Sequence, residues 1–236
     1  LMYPDGIRLH DGGTWSTLAG QPTDDSEMAL ALARSIVGSG GYDPRLALES
    51  YVRWKQSGPF DIGITVRSAL SGSFDMESQA NGAMMRVSPL GIFGAAYGNG
   101  EVAAWARADA ALTHVNPLCA QANALYAMGI AEAVRSGPAP EELYEAMLLW
   151  AKGLEAEPEL ISAMRRAATE PPGDFMESSG WVLVAFQNAL HRLLHAGSFE
   201  EGVVETVMQG GDTDTNAAIC GALLGAVHGR ESLPVQ

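Results

Sequence analysis

Apolar positions in this chain recur three and four residues apart, and alternation with a period of two is nearly absent. That pattern predicts helices at about 24–37, 44–57, 62–70, 82–96, 99–112, 117–136, 140–153, 176–196, 199–209 and 214–228. The segments between them are short and carry the expected breakers, among them Gly38-Ser39-Gly40-Gly41, Ser57-Gly58-Pro59, Gly137-Pro138 and Pro171-Pro172-Gly173. No linker, repeat or low-complexity tract divides the sequence. The expectation is one all-α domain over residues 1–236, with many helices packed at mixed angles.

Two helix starts break the apolar rhythm with unusual density. Gly210-Gly211-Asp212-Thr213-Asp214-Thr215-Asn216 leads into the small, apolar helix Ala217 to Val227. Two carboxylates, two hydroxyls and an amide within five residues form a set of hard oxygen donors of the kind Mg²⁺, Mn²⁺ or Ca²⁺ takes. Asp, Thr and Asn also cap helices, but a cap needs only one of them. Thr23-Asp24-Asp25-Ser26-Glu27 precedes a second apolar helix, and there Asp24 and Glu27 have the spacing of a capping box. Two acidic helix starts at opposite ends of one chain suggest that they meet around a shared metal centre, where both helix dipoles favour carboxylates.

Composition narrows the function classes. Apolar residues make up 47% of the 236, enough for a large core. A net charge of −14, a pI near 4.6 and no basic run argue against direct nucleic-acid binding. No apolar run reaches the ~18 residues needed to span a bilayer, and no signal peptide is visible. A soluble, cytoplasmic, monomeric protein is expected. Cys119 and Cys220, in Ala-rich helical contexts, read as core residues of a reducing compartment rather than a disulfide. His191 and His195 have the spacing of a zinc pair but lack the intervening Glu, and are assigned to a helix surface. Trp15, Trp54, Trp105 and Trp181 read as core or rim packing, one of them a candidate for stacking on a base.

Five segments, in order and spanning nearly the whole chain, resemble the ADP-ribosylglycohydrolase family. They are Thr23 to Leu32, Gly58-Pro59-Phe60-Asp61-Ile62-Gly63, Asn81-Gly82-Ala83-Met84-Met85-Arg86-Val87-Ser88-Pro89-Leu90, Thr113-His114 with Asn116-Pro117, and Gly210 to Ala218. The resemblance implies an all-α fold and a centre of two Mg²⁺ ions (or Mn²⁺), ligated by Thr23, Asp24, Asp25, Asp212, Asp214 and Thr215. It places Asp61 near the distal ribose of ADP-ribose, Ser78, Gln79, Asn81 and Gly82 on a loop that holds ribose and phosphate, and His114 on a phosphate. Without the family, Asp61 reads as a helix cap, Asn81-Gly82 as a turn and His114 as an ordinary polar residue.

The implied activity is hydrolysis of the bond between C1 of the distal ribose and a protein side chain, through an oxocarbenium-like transition state. Metals would hold the ribose hydroxyls and activate a water, with Asp24, Asp61 and Asp214 as the catalytic carboxylates. Arginine-linked ADP-ribose on a protein is the preferred substrate. Serine-linked and O-acetyl-ADP-ribose are alternatives, as is an ADP-ribose-binding protein with little turnover. The family pattern also includes an N-terminal helix with a metal-site glutamate. The sequence starts at Leu1 in the loop-like Tyr3-Pro4-Asp5-Gly6, so a further ~30–40 N-terminal residues are expected by analogy with family length.

Overall fold

A computed structural model of the chain describes residues 10–13 and 15–234. The segment Tyr3 to Gly6 lies outside them. Among the described residues there are eleven α-helices, one more than the ten predicted segments, and no strand, as the near absence of period-two alternation predicts. The helices are α1 (Asp24–Ser39), α2 (Pro44–Gln56), α3 (Ile64–Ala69), α4 (Ser88–Gly94), α5 (Asn99–Ala111), α6 (Pro117–Ser136), α7 (Pro140–Gly153), α8 (Pro158–Arg166), α9 (Val182–His195), α10 (Phe199–Val207) and α11 (Thr213–His228).

Helix α6 is the axis around which the others pack. Asn116 caps it by accepting from the Leu118 N–H at 3.0 Å, Pro117 occupies the first turn, and Gly137 ends it at φ 58°. Its Ala, Leu, Met and Tyr side chains are buried on nearly every side, against α4, α5, α7, α9 and α11. Helix α9 is buried in the same way and packs on α7, α8 and α11. These two helices leave little freedom to what surrounds them. Helix α1 lies against α2, α4 and α11, so the first and last helices touch.

The structure departs from the sequence pattern in four places. The segment 82–96 is not one helix: a 3₁₀ turn (Met84–Arg86) and α4 replace it, because Pro89 starts a new helix at Ser88. The segment 176–196 begins as irregular chain and turns helical only at Val182, after Gly180 at φ 82°. Helix α8 is additional to the predicted elements, although Pro158 sits at its first position and Leu160, Ala163 and Met164 line its buried face. His191 is not on the surface: it is 9% exposed and its Nδ1 lies 2.9 Å from the Ala167 carbonyl, which accepts a ring N–H. Exposed His195 reaches the Ala168 carbonyl at 3.1 Å. Both cysteines are buried and unpaired. Among the described residues no helix is long and apolar enough to cross a membrane.

Candidate functional site

The two acidic helix starts do come together. Asp24, Asp212, Asp214 and Thr215 share the lining of one cavity of about 350 Å³ with Asp61, Asn81, Gly82 and His114. A second, wider cleft of about 770 Å³ opens on the other side of the same carboxylates, lined by Thr23, Asp25, Asp61, Asp212 and Asp214 together with Trp15 and Leu18. Asp61, Asp212 and Asp214 therefore stand on the ridge between the two.

Neither helix start spends its polar side chains on capping. Thr23 and Asp212 occupy the cap positions of α1 and α11, and neither makes a side-chain cap hydrogen bond. The Thr23 hydroxyl donates instead to Asp25 Oδ2 at 2.7 Å, and Asp212 Oδ2 accepts from Asn81 Nδ2 at 2.8 Å. The capping box suggested by Asp24 and Glu27 does not form either. Asp24 Oδ2 accepts the Gly63 N–H at 3.2 Å, while Glu27 accepts from Trp54 Nε1 at 2.6 Å. Capping thus leaves the cluster unexplained.

Its electrostatics are unfavourable as they stand. Burial first, then the neighbouring charges of Asp61, Asp214 and Asp212, push Asp24 up to about 6. Burial raises Asp25 to about 7, with Asp214 and Asp24 adding to it. Asp61 and Asp212 are raised for the same reasons, although the Asn81 amide and Thr215 pull Asp212 the other way. Asp25 Oδ1 is buried without a hydrogen-bond partner, as are both polar atoms of the Asn216 amide. A divalent cation would relieve the repulsion and take such oxygens, so the donor set fits the metal in charge and chemistry. Among the described residues no three Asp, Glu, His or Cys side chains form a ready-made metal cage, so hydroxyls and solvent would have to complete the coordination.

The remaining expected residues divide. Asn81 and Gly82 line the smaller cavity, and so does His114, which is 1% exposed. Ser78 and Gln79 do not line it. Ser78 Oγ lies 2.8 Å from Thr65 Oγ1, and Gln79 Oε1 accepts from Trp181 Nε1 at 2.8 Å on a neighbouring shallow groove. The aromatic residues split as well. Exposed Trp15 sits on the rim, its ring 6.3 Å from that of Phe60, whereas Trp105 packs against Tyr97 at 4.9 Å. Sequence reasoning missed Ser179, which lines both cavities, and Gly180, which lines the smaller one. It also missed how the segment around them is fastened: the Asn81 N–H donates to the Gly180 carbonyl and the Val182 N–H to that of Gln79, each at 2.9 Å. The Ser178-Ser179-Gly180 triplet is a breaker signal inside the segment whose periodicity predicts helix.

The family described as ADP-ribosylglycohydrolase matches residues 2–236. An ADP-ribosyl-dinitrogen reductase glycohydrolase of Rhodospirillum rubrum is 30% identical over 242 residues, covering 96% of this chain and 76% of the relative. An ADP-ribosylarginine hydrolase of Pseudomonas putida (strain GB-1) is 27% identical over 242 residues, covering 94% of this chain and 63% of the relative. A solved structure described as an ADP-ribosylglycohydrolase-related protein complex superimposes with a TM-score of 0.80 at 29% identity, over 96% of this chain and 78% of that one.

Proposed function

This chain belongs to the ADP-ribosylglycohydrolase family, and we propose that it is a metal-dependent hydrolase releasing ADP-ribose from arginine side chains of modified proteins. The observation that carries the reading is the meeting of Asp24, in the smaller cavity, and Asp25, in the wider cleft, with Asp212 and Asp214 on the ridge between them. Thr23, Asp24, Asp25, Asp212, Asp214 and Thr215 would hold one or two Mg²⁺ ions, which when bound would supply Lewis acidity and an anchor for ribose hydroxyls.

The chain's own groups then sort by cleft. In the smaller cavity, Asn81, Gly82 and His114 offer polar contacts to the pyrophosphate and proximal ribose. Asp61, on the ridge, would orient the distal ribose and take a proton from the attacking water. Burial, then the neighbouring Asp214 charge, raise its proton affinity, the direction that strengthens a general base. The wider cleft receives the acceptor side chain. Of the carboxylates that face it, Asp61 is the one not assigned to the metal, and its charge favours a guanidinium over an uncharged O-linked serine.

The test is incubation with arginine-, serine- and acetyl-linked ADP-ribose, each with Mg²⁺ and with EDTA. Release from arginine that needs Mg²⁺ is expected. Release from serine or the acetyl ester alone would reassign the substrate, and equal release in EDTA would remove the metal. The second reading, ADP-ribose binding without turnover, draws on the lack of a ready-made carboxylate cage among the described residues. It predicts tight ADP-ribose binding with no release from any of the three.

A further inference from the structure

Beneath the smaller cavity lies a buried chain of polar groups that the proposed function does not use. Arg86 and Asp109 are both fully buried and 3.0 Å apart, Nε to Oδ2. The other Asp109 oxygen accepts from the Tyr51 hydroxyl at 2.8 Å, and the guanidinium carbon sits 4.4 Å from the centre of the Tyr51 ring. A second guanidinium nitrogen donates to the Asp109 backbone carbonyl at 2.8 Å. The third turns toward the cavity wall. It donates to Thr113 Oγ1 at 2.8 Å and, more distantly, to the Gly82 carbonyl at 3.4 Å.

The number of protons available fixes the direction of each hydrogen bond beyond Arg86. Arginine is a donor only and stays charged, so Thr113 Oγ1 spends a lone pair on Arg86 and keeps its single proton to give away. Thr113 is fully buried, and the other partner of its hydroxyl among the described residues is His114 Nδ1, 2.8 Å away. The hydroxyl therefore donates to Nδ1, which must be unprotonated. A neutral imidazole then carries its hydrogen on Nε2. That atom is buried, has no hydrogen-bond partner in the protein and belongs to a residue lining the cavity. Its edge of the ring rests against Gly82, where a Cβ would stand 3.2 and 3.3 Å from His114 Cε1 and Nε2. The ring can occupy this place because residue 82 has no side chain.

We propose that Arg86, acting through Thr113, locks His114 in the neutral Nε2–H tautomer, so that the imidazole presents one fixed donor to an anionic oxygen of the ligand in the smaller cavity. Arg86 and Thr113 are thus positioning residues. The alternative in which Nδ1 carries a proton would set two donors against one hydroxyl oxygen and leave the hydroxyl proton without an acceptor. Burial, then the nearby Arg86 charge, hold His114 down at about 3, in accord with the neutral ring. Only the identity of the oxygen, a pyrophosphate oxygen of ADP-ribose, rests on the proposed function.

The experiment combines tautomer and affinity. Long-range ¹H–¹⁵N spectra of ¹⁵N-histidine-labelled protein report the state of all five histidines, and His114→Gln assigns the signal. The wild-type protein is expected to show His114 as the Nε2–H form. Thr113→Val should lose that preference and weaken ADP-ribose binding in Mg²⁺ about tenfold, the worth of one hydrogen bond to a charged group. Thr113→Ser should keep both. An Nδ1–H or protonated ring in the wild type overturns the proposal, as does a Thr113→Val variant unchanged in tautomer and affinity. Should Thr113→Val fail to fold, the wild-type spectrum decides alone. If the tautomer is as described and lost in Thr113→Val while the wild type does not bind ADP-ribose, the relay stands and the ligand assignment falls.

Discussion

Gly211→Ala is the sharpest perturbation of the site that removes no charged group. Gly211 has φ +69°, and a Cβ built on it would lie 1.9 Å from the Phe175 carbonyl oxygen and 2.8 Å from its carbon. Real Cβ atoms essentially never approach within 3.0 Å, and the obstacle is backbone, so the two segments must separate by about an ångström. That displacement loosens the Gly211 N–H contact to the Met176 sulfur, 3.1 Å, and acts on Asp212, the next residue, which Asn81 holds at 2.8 Å. Gly58→Ala is the matched control: its φ is +74°, and nothing lies within 4 Å of the added methyl. The control carries only the left-handed backbone cost, about 1–2 kcal/mol, or a Tm lower by roughly 4 °C at this chain length. Gly211→Ala carries that cost and a misplaced carboxylate, and an ångström of misplacement in a site is worth on the order of a hundredfold. Calorimetric titration of ADP-ribose in Mg²⁺, with thermal unfolding of both variants, separates the two terms. Gly211→Ala binding within threefold of wild type, with a Tm matching that of Gly58→Ala, would refute the reasoning.

The same geometry sets three further outcomes. Asp109→Asn leaves the Arg86 guanidinium buried without its counter-charge, and denaturant titration should show a loss of about 3–5 kcal/mol. His114 is depressed to about 3 from 6.5, so the unfolded chain takes a proton there that the native protein refuses. The resulting stability is present above pH ~6.5 and is lost as the pH falls toward ~3, so His114→Gln should flatten the decline in unfolding free energy between pH 6.5 and 4. Asp214→Asn replaces an anionic oxygen donor with an amide and should abolish most Mg²⁺ binding in a calorimetric titration while moving the Tm little, because residue 214 is exposed.

Whatever depends on neighbours along the chain is legible in the sequence. The limits of α6 and α7 can be read to the residue, because Pro117 and Pro140 open them and glycines close them. The two halves of the acidic site are visible separately as acidic helix starts, only the second of them too rich for a cap, and the structure brings them together around two adjoining clefts. What escapes depends on contacts between distant segments. Nothing local marks Arg86 as a buried cation, since its counter-ion is Asp109 and its second partner Thr113. The family resemblance assigns Ser78 and Gln79 to the ligand-holding loop with Asn81, yet Thr65 and Trp181 claim their side chains. His191 looks like a surface residue because the carbonyl that accepts its N–H follows α8, a helix absent from the predicted elements.

The acidic cluster joins α1 to α11. Asp24 is in place once α1 has formed, but Asp212, Asp214 and Thr215 are synthesised only after some nine further helices, and α11 has to seat on α6, α9, α10 and α1 to deliver them. A nascent chain still missing α11 can bury much of its core around α6 and yet hold only half of the carboxylates. Such a chain would be protein-like in shape and inert toward a ligand that needs both halves. Ligand binding thus reports that synthesis and packing have run through α11, and a ligand that bridges α1 and α11 would fasten these two helices to each other.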